Sequence, residues 1–180
     1  MAKLDIIDED ENIIGEETKE NIHKKGLLHR EIHVWFYTPK AEIIFQLRSK
    51  HKDTFPNLLD ATVGGHVEPG DDSITTALRE MSEETGVKAK AEDLRLVSKL
   101  RWRALDTVNQ MVNNVIRTIY AYQYDGRLSD LRSEEAQGFE AWPVNKLSKG
   151  LTLEEKKRFA PSMLKKDYLD TYREITSGLI

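Results

Sequence analysis

Residues 72–85 constrain this chain more than any other stretch, because they fit only one secondary structure and leave it two very different faces. Ile74, Ala77, Leu78 and Met81 fall at i, i+3, i+4 and i+7, a complete apolar stripe at helical period. Asp71 or Asp72 is placed to cap the N-terminus, and Gly86 fits a left-handed stop at the other end. The opposite face carries Glu80, Glu83 and Glu84. That spacing brings their side chains within roughly 5–6 Å of one another at Cβ. Three like charges so close repel, more strongly where water is partly excluded, and Arg79 is the one cation within the helix beside them. A hard divalent ion with oxygen ligands relieves that repulsion directly. Such a helix needs an apolar layer on one side and a cation, with whatever the cation binds, on the other.

The flanking sequence supplies the layer. Leu4 to Ile7, a turn at Asp8 to Asn12, and Ile13 onward read as two strands, with Glu16 to Lys25 a short helix or loop ending at Gly26. Ile32 to Thr38 and Glu42 to Leu47, joined at Pro39-Lys40, read as a hairpin rich in β-branched and aromatic residues. Leu94 to Trp102 and Val115 to Tyr124 read as strands separated by a polar segment from Asp106 to Asn114. The last third turns helical: Thr152 and Glu155 have capping-box spacing, and a final helix is expected to open at Pro161. Leu164, Tyr168, Tyr172 and Ile175 would form its apolar stripe, and the long C-terminal helical region as a whole could be the face of a homodimer. Strands with helices interspersed predict an α/β (α+β) sandwich, helices packed on the faces of a mixed sheet. The expected organisation is a single domain over 1–180, with N-terminal strands and helix in 1–28, a catalytic core in 29–150 and C-terminal helices in 151–180.

Composition narrows the chemistry. The 180 residues contain no cysteine, which excludes disulfides, Cys-based zinc sites and thiol nucleophiles. The formal net charge of −4 gives no basic face for a nucleic-acid polymer. No apolar run approaches a membrane span, and Met1 to Asp10 lacks a basic n-region followed by an apolar core, so a cytoplasmic protein is expected.

The loop before the helix completes the pattern. Gly64 and Gly65 let backbone approach a ligand closely, Pro69-Gly70 turns the chain, and a helix N-terminus suits phosphate. Residues 64–87, GGHVEPGDDSITTALREMSEETGV, resemble the Nudix box, G-x5-E-x7-R-E-U-x-E-E-x-G-U, with U bulky and aliphatic. Gly65, Arg79, Glu80, Met81, Glu83, Glu84, Gly86 and Val87 match in register, and Asp71 stands where the pattern has its first glutamate. The resemblance implies a Nudix-type α/β/α sandwich and a Mg²⁺-dependent hydrolase (Mn²⁺ as the alternative ion) that cleaves a small-molecule diphosphate such as a nucleoside diphosphate derivative. It implies Glu80 and Glu84 as principal metal ligands, Glu83 as ligand or base, the Gly64 carbonyl in the metal shell, and Arg79 orienting a glutamate. A further glutamate outside the box often serves as ligand or base, and Glu135 stands there, with Glu134 as its rival.

Beyond the box, residues 27–71 resemble the isopentenyl-diphosphate isomerase branch of the same superfamily. The isomerases use a catalytic cysteine at the position of Gly64. They also use histidine ligands, for which His29 and His66 are counterparts, and glutamates near Asn113-Asn114, which are absent here. That resemblance implies isomerisation as the alternative activity, and a non-catalytic nucleotide-sensing module is the third reading. For His29 and His33 the plain expectation is hydrogen bonding near a strand end, and for His66, which borders the site, that reading and a role in the site stand side by side. Trp102, between Arg101 and Arg103, is the best stacking candidate among the tryptophans, and Arg48 with Lys50-His51-Lys52 is a solvated loop that could meet a far phosphate.

Overall fold

A computed structural model describes residues 2–52, 54–106, 109–133 and 136–179. Its centre is one seven-stranded mixed sheet. The strands are β3 (His29–Tyr37), β4 (Glu42–Arg48), β5 (Leu59–Asp60), β6 (Val63–His66), β7 (Arg95–Asp106), β8 (Met111–Gln123) and β9 (Ala136–Pro143). The main path runs β5-β4-β3-β8-β7, with β6 added to β3 and β9 to β4. β3 is the hub. It pairs in parallel with β8 from His29↔Val115 to Tyr37↔Gln123. Its other edge is shared: Glu31 to Val34 pair with β6, and Phe36 and Tyr37 pair with β4. The predicted hairpin and the mixed sheet are both present.

Alternation along β3 builds two cores, since successive side chains leave opposite faces of a strand. Trp35 joins Ile43, Phe45, Trp102, Val115, Ile119, Tyr168 and Tyr172 on one face. Ile32, Val34 and Phe36 join Ile44, Val63, Ala77, Met81 and Tyr120 on the other. The carboxylate-bearing helix α2 (Ser73–Thr85) buries Ala77 and Met81 into the second core. Helices α3 (Val144–Lys149) and α5 (Lys166–Thr176) pack into the first, and α4 (Leu153–Lys156) opens on the capping box of Thr152 and Glu155. The remaining elements are the hairpin β1 (Lys3–Ile7) and β2 (Ile13–Thr18), a sheet of its own, and α1 (Lys19–Lys25), stopped by left-handed Gly26. Among the described residues no helix is long and apolar enough to cross a membrane.

Two sequence expectations are corrected. β7 and β8 run on to Asp106 and from Met111, because the polar segment between the expected strands is the tip of one long antiparallel ladder, down to Asp106↔Met111. The final helix begins at Lys166, not Pro161. Residues before Pro161 are held extended instead: Leu59 N–H donates to Arg158 O and Ala160 N–H to Leu59 O, so this stretch bonds to β5. Tyr168, Tyr172 and Ile175 of the expected stripe pack into the molecule's own core.

Candidate functional site

The site forms where β6 passes under α2. Asp72, not Asp71, caps the helix, its carboxylate accepting from Thr75 N–H at 2.8 Å, and Gly86 takes φ 74° at the stop. This fixes the rotation of the helix. Met81 then points into the core, and Glu80 and Glu84 come down on β6.

Gly65 is bare because Glu80 occupies the space: a β-carbon there would lie 2.6 Å from the Glu80 carboxyl carbon. The next contact is polar. Gly64 N–H donates to Glu84 Oε2 at 3.3 Å, and Gln46 Nε2 donates to the same oxygen at 3.2 Å and to Thr62 O at 3.4 Å. Arg79 lies across the outside of the cluster, 3.0 Å from Glu80 Oε1, 3.1 Å from Glu83 Oε2 and 3.8 Å from Glu68 Oε1. Burial works against the Arg79 charge, but Glu80, Glu83 and Glu68 outweigh it and hold its pKa above the ordinary value. The structure therefore brings Gly64, Arg79, Glu80, Glu83 and Glu84 together around one corner of the sheet. Glu80 is nearly covered and Glu83 is over half exposed. Glu134 and Glu135 lie outside the described residues. Gln46 and Thr62 were not singled out by the sequence. They come from other strands, and no local spacing marks them.

The carboxylate and carbonyl donors here are all oxygen, the set that suits Mg²⁺ or Mn²⁺. A second set lies on the opposite face of the sheet. One nitrogen each from His23, His29 and His66 lie within 4.8 Å of one another. His23 Nδ1 faces Lys19 O at 2.7 Å and His29 Nδ1 faces Leu27 O at 2.9 Å, contacts that place the ring proton on Nδ1 and leave Nε2 as a lone pair. His29 is wholly buried and its Nε2 has no hydrogen-bond partner. His23 Nε2 and His66 Nε2 are 3.3 Å apart. Burial lowers the His29 pKa and brings that of His66 down to about 3, so both rings are neutral. Three converging imidazole nitrogens suit a zinc-like ion. His29 thus makes the hydrogen bond expected of it near a strand end and converges with His66 as well. His23, from α1, is the member the sequence did not reveal.

The other candidates are less open. Trp102 is 8% exposed, with Arg117 and Lys165 over its ring, so it is part of the core and not a stacking platform. Arg48 is spent on Asp60, at 3.1 Å, and on Thr54 O. Where the isomerases carry their cysteine, Gly64 faces His33: a β-carbon would lie 3.2 Å from His33 Cδ2, tighter than ordinary contact.

Comparison with known proteins shows the family and the fold. The NUDIX domain family matches residues 27–164. An uncharacterized Nudix hydrolase of Clostridium acetobutylicum is 40% identical over 94 residues, 51% of this chain and 45% of its own length. Nudix hydrolase 3 of Arabidopsis thaliana is 31% identical over 55% of this chain and 13% of its own length. The chain thus spans less than half the length of these curated relatives. An isopentenyl-diphosphate Delta-isomerase of Serratia proteamaculans is 27% identical over 69% of this chain and 67% of its own length. Among solved structures, a Deinococcus radiodurans protein superposes with a TM-score of 0.70 at 20% identity, over 96% of this chain and 98% of that one. The NUDIX domain of Shewanella oneidensis NrtR, complexed with ADP ribose, gives 0.55 at 14% identity, over 91% and 100%. These two likenesses bear on the fold.

Proposed function

Because residues 27–164 make this chain a member of the NUDIX domain family, we propose that it hydrolyses the diphosphate linkage of a small molecule, a nucleoside diphosphate derivative being the leading class, with Mg²⁺ or Mn²⁺ at the α2 carboxylates. One observation carries the reading. The Gly64-Gly65 backbone and the carboxylate face of α2 are built for each other, since Glu80 fills the room a side chain at 65 would need and Glu84 is held by the Gly64 N–H.

Glu80 and Glu84 would hold the ion with the Gly64 carbonyl, and Glu83 would ligate or act as base, with Glu135 as the other base candidate. When bound, the ion neutralises charge on the phosphate oxygens. Arg79 keeps Glu80 and Glu83 in place between turns of the helix. The base takes a proton from water as the water oxygen bonds to one phosphorus. The bond from that phosphorus to the bridging oxygen breaks. A monophosphate leaves, and the other half keeps the bridging oxygen. The three histidines would take a second, zinc-like ion, apart from the hydrolytic carboxylates.

The test is incubation with Mg²⁺ and a panel of diphosphates that begins with ADP-ribose, with products identified by mass spectrometry. Glu84→Gln should cut turnover by on the order of a hundredfold or more, as expected for loss of a ligand and not a mere neighbour of one. Cleavage that survives Glu84→Gln, or that needs no metal, overturns the reading. The isomerase alternative is disfavoured by Gly64, with no thiol and little room for one beside His33.

A further inference from the structure

A buried polar chain runs from the sheet to α5 beneath Gly64, and the hydrolytic reading does not use it. Glu31 Oε2 accepts from Arg117 Nε at 3.0 Å and Nη2 at 2.6 Å. Arg117 Nη1 donates in turn to the Tyr168 hydroxyl. The Tyr168 hydroxyl lies 3.2 Å from His33 Nδ1, with the two rings stacked at 24°. All four side chains are buried or nearly so.

The protons along this chain can be assigned. Arg117 is a donor only, so it occupies a lone pair of the Tyr168 oxygen. If His33 Nδ1 also donated to that oxygen, the hydroxyl proton would be left buried with no acceptor in the chain, at a cost of about 1–3 kcal/mol. The arrangement that gives the hydroxyl proton an acceptor has Tyr168 donating to Nδ1. His33 then carries its proton on Nε2.

That ring edge meets the candidate site. His33 and Gly64 are cross-strand partners in the β3–β6 ladder. His33 Cδ2 and Nε2 lie 3.2 and 3.4 Å from where a β-carbon on Gly64 would sit, so the imidazole is the wall on the bare side of that residue. The N–H of the same residue donates to Glu84. We propose that Tyr168 is a positioning residue for the carboxylate site: its hydroxyl fixes one tautomer and one orientation of His33, and the His33 ring fixes the Gly64 peptide that holds Glu84. The proposal rests on the metal reading of the preceding subsection. It adds that the C-terminal helix, far along the chain from the box, sets the geometry of the box. Mg²⁺ tolerates little departure from octahedral geometry, so a small shift of Gly64 has a measurable price in affinity.

The test uses the full chain labelled with ¹⁵N. Long-range proton–nitrogen correlation reads the His33 tautomer, and Mg²⁺ titration is followed at the Gly64 amide. Mg²⁺ is the probe because an imidazole-only cluster disfavours it. Tyr168→Phe keeps the rings and removes only the hydroxyl. Tyr172→Phe is its control: Tyr172 is equally buried on the same helix, but its hydroxyl donates to Met163 O at 3.1 Å. The native protein should show the Nε2–H form. Tyr168→Phe should give mixed tautomers and a Mg²⁺ dissociation constant raised about three- to tenfold, the low end of what outer-shell changes do to metal sites. Tyr172→Phe should keep the native tautomer and affinity even if it melts as early. A native Nδ1–H form, or equal Mg²⁺ affinity in the two variants, overturns the proposal. A native Gly64 amide that ignores Mg²⁺ would remove the metal site itself, a failure of the earlier reading visible before either variant is made.

Discussion

At the scale of single residues, the site depends on atoms that are missing. Gly65 has no β-carbon, and Glu80 uses the space. The colliding atoms belong to the end of a flexible side chain, so Gly65→Ala need not unfold the protein. It should instead push the Glu80 carboxylate away from the backbone. The expected outcome is a melting temperature within a few degrees of native and diphosphate cleavage reduced about 10–100-fold. Kinetics beside a thermal melt would check this, and native activity in the variant would contradict the close packing. Glu80, Glu83 and Glu84 were legible because helical period alone puts them on one arc. Gln46, Thr62, His23 and Tyr168 were not. Each meets its partners from a distant segment, and what a side chain meets then depends on how strands and helices are brought together, which no local pattern encodes.

At the scale of elements, most of what the sequence fixes locally is found in the structure, and the errors fall where long-range bonding overrides local preference. α2 was readable at both ends since its cap and its stop are both local. Asp72→Ala should remove the bond to Thr75 N–H and destabilise the fold by about 1 kcal/mol, within the 0.5–2 typical of such caps, as measured by urea denaturation. An unchanged midpoint would mean that Asp71 takes over. α5 was misread at its start because Pro161 marks a plausible helix opening, whereas the chain around it is committed to bonds with Leu59. β7 and β8 were cut short for a related reason. The polar Asn113 and Asn114 there are half-buried and bonded to other segments, Asn113 to Glu31 and Asn114 to Gly26 O, contacts that local polarity does not reveal.

At the scale of the whole molecule, buried ionisable groups tie the fold to neutral pH. His33 and His66 are held neutral, first by burial, each with a pKa down to about 3 from 6.5. The unfolded chain therefore binds their protons first. Their contribution to stability is complete above pH 6.5 and is lost progressively as pH falls from there toward 3. Glu31 acts in the same direction at lower pH. Burial opposes its charge, but Arg117 more than compensates, and its pKa is held well below 4.5, so its stabilisation too disappears in acid. Urea midpoints of metal-free protein should fall steadily below pH 6.5, by up to about 1.4 kcal/mol per pH unit for each histidine, less for the partly exposed His66. A flat profile from pH 7 to 5 would contradict the assignment. At pH 7.5 a zinc-like ion should raise the melting temperature and a chelator reverse the gain, since His23 on α1 and His66 on β6 would be joined through it. His29→Ala should abolish that response.

The parallel pairing of β3 with β8 has a kinetic consequence. Every residue of β3 waits for a partner about 86 positions further along the chain, from His29 with Val115 onward. Until then β3 has only β6, the end of β4 and α2 for company, and Trp35, on the other face, has no helix to pack against. A contact so distant carries a high closure entropy and forms slowly. During synthesis the glycine loop and the glutamate helix emerge well before the strand that completes their platform. A segment that ends before β8 therefore leaves the sheet without its central parallel pair and exposes apolar surface.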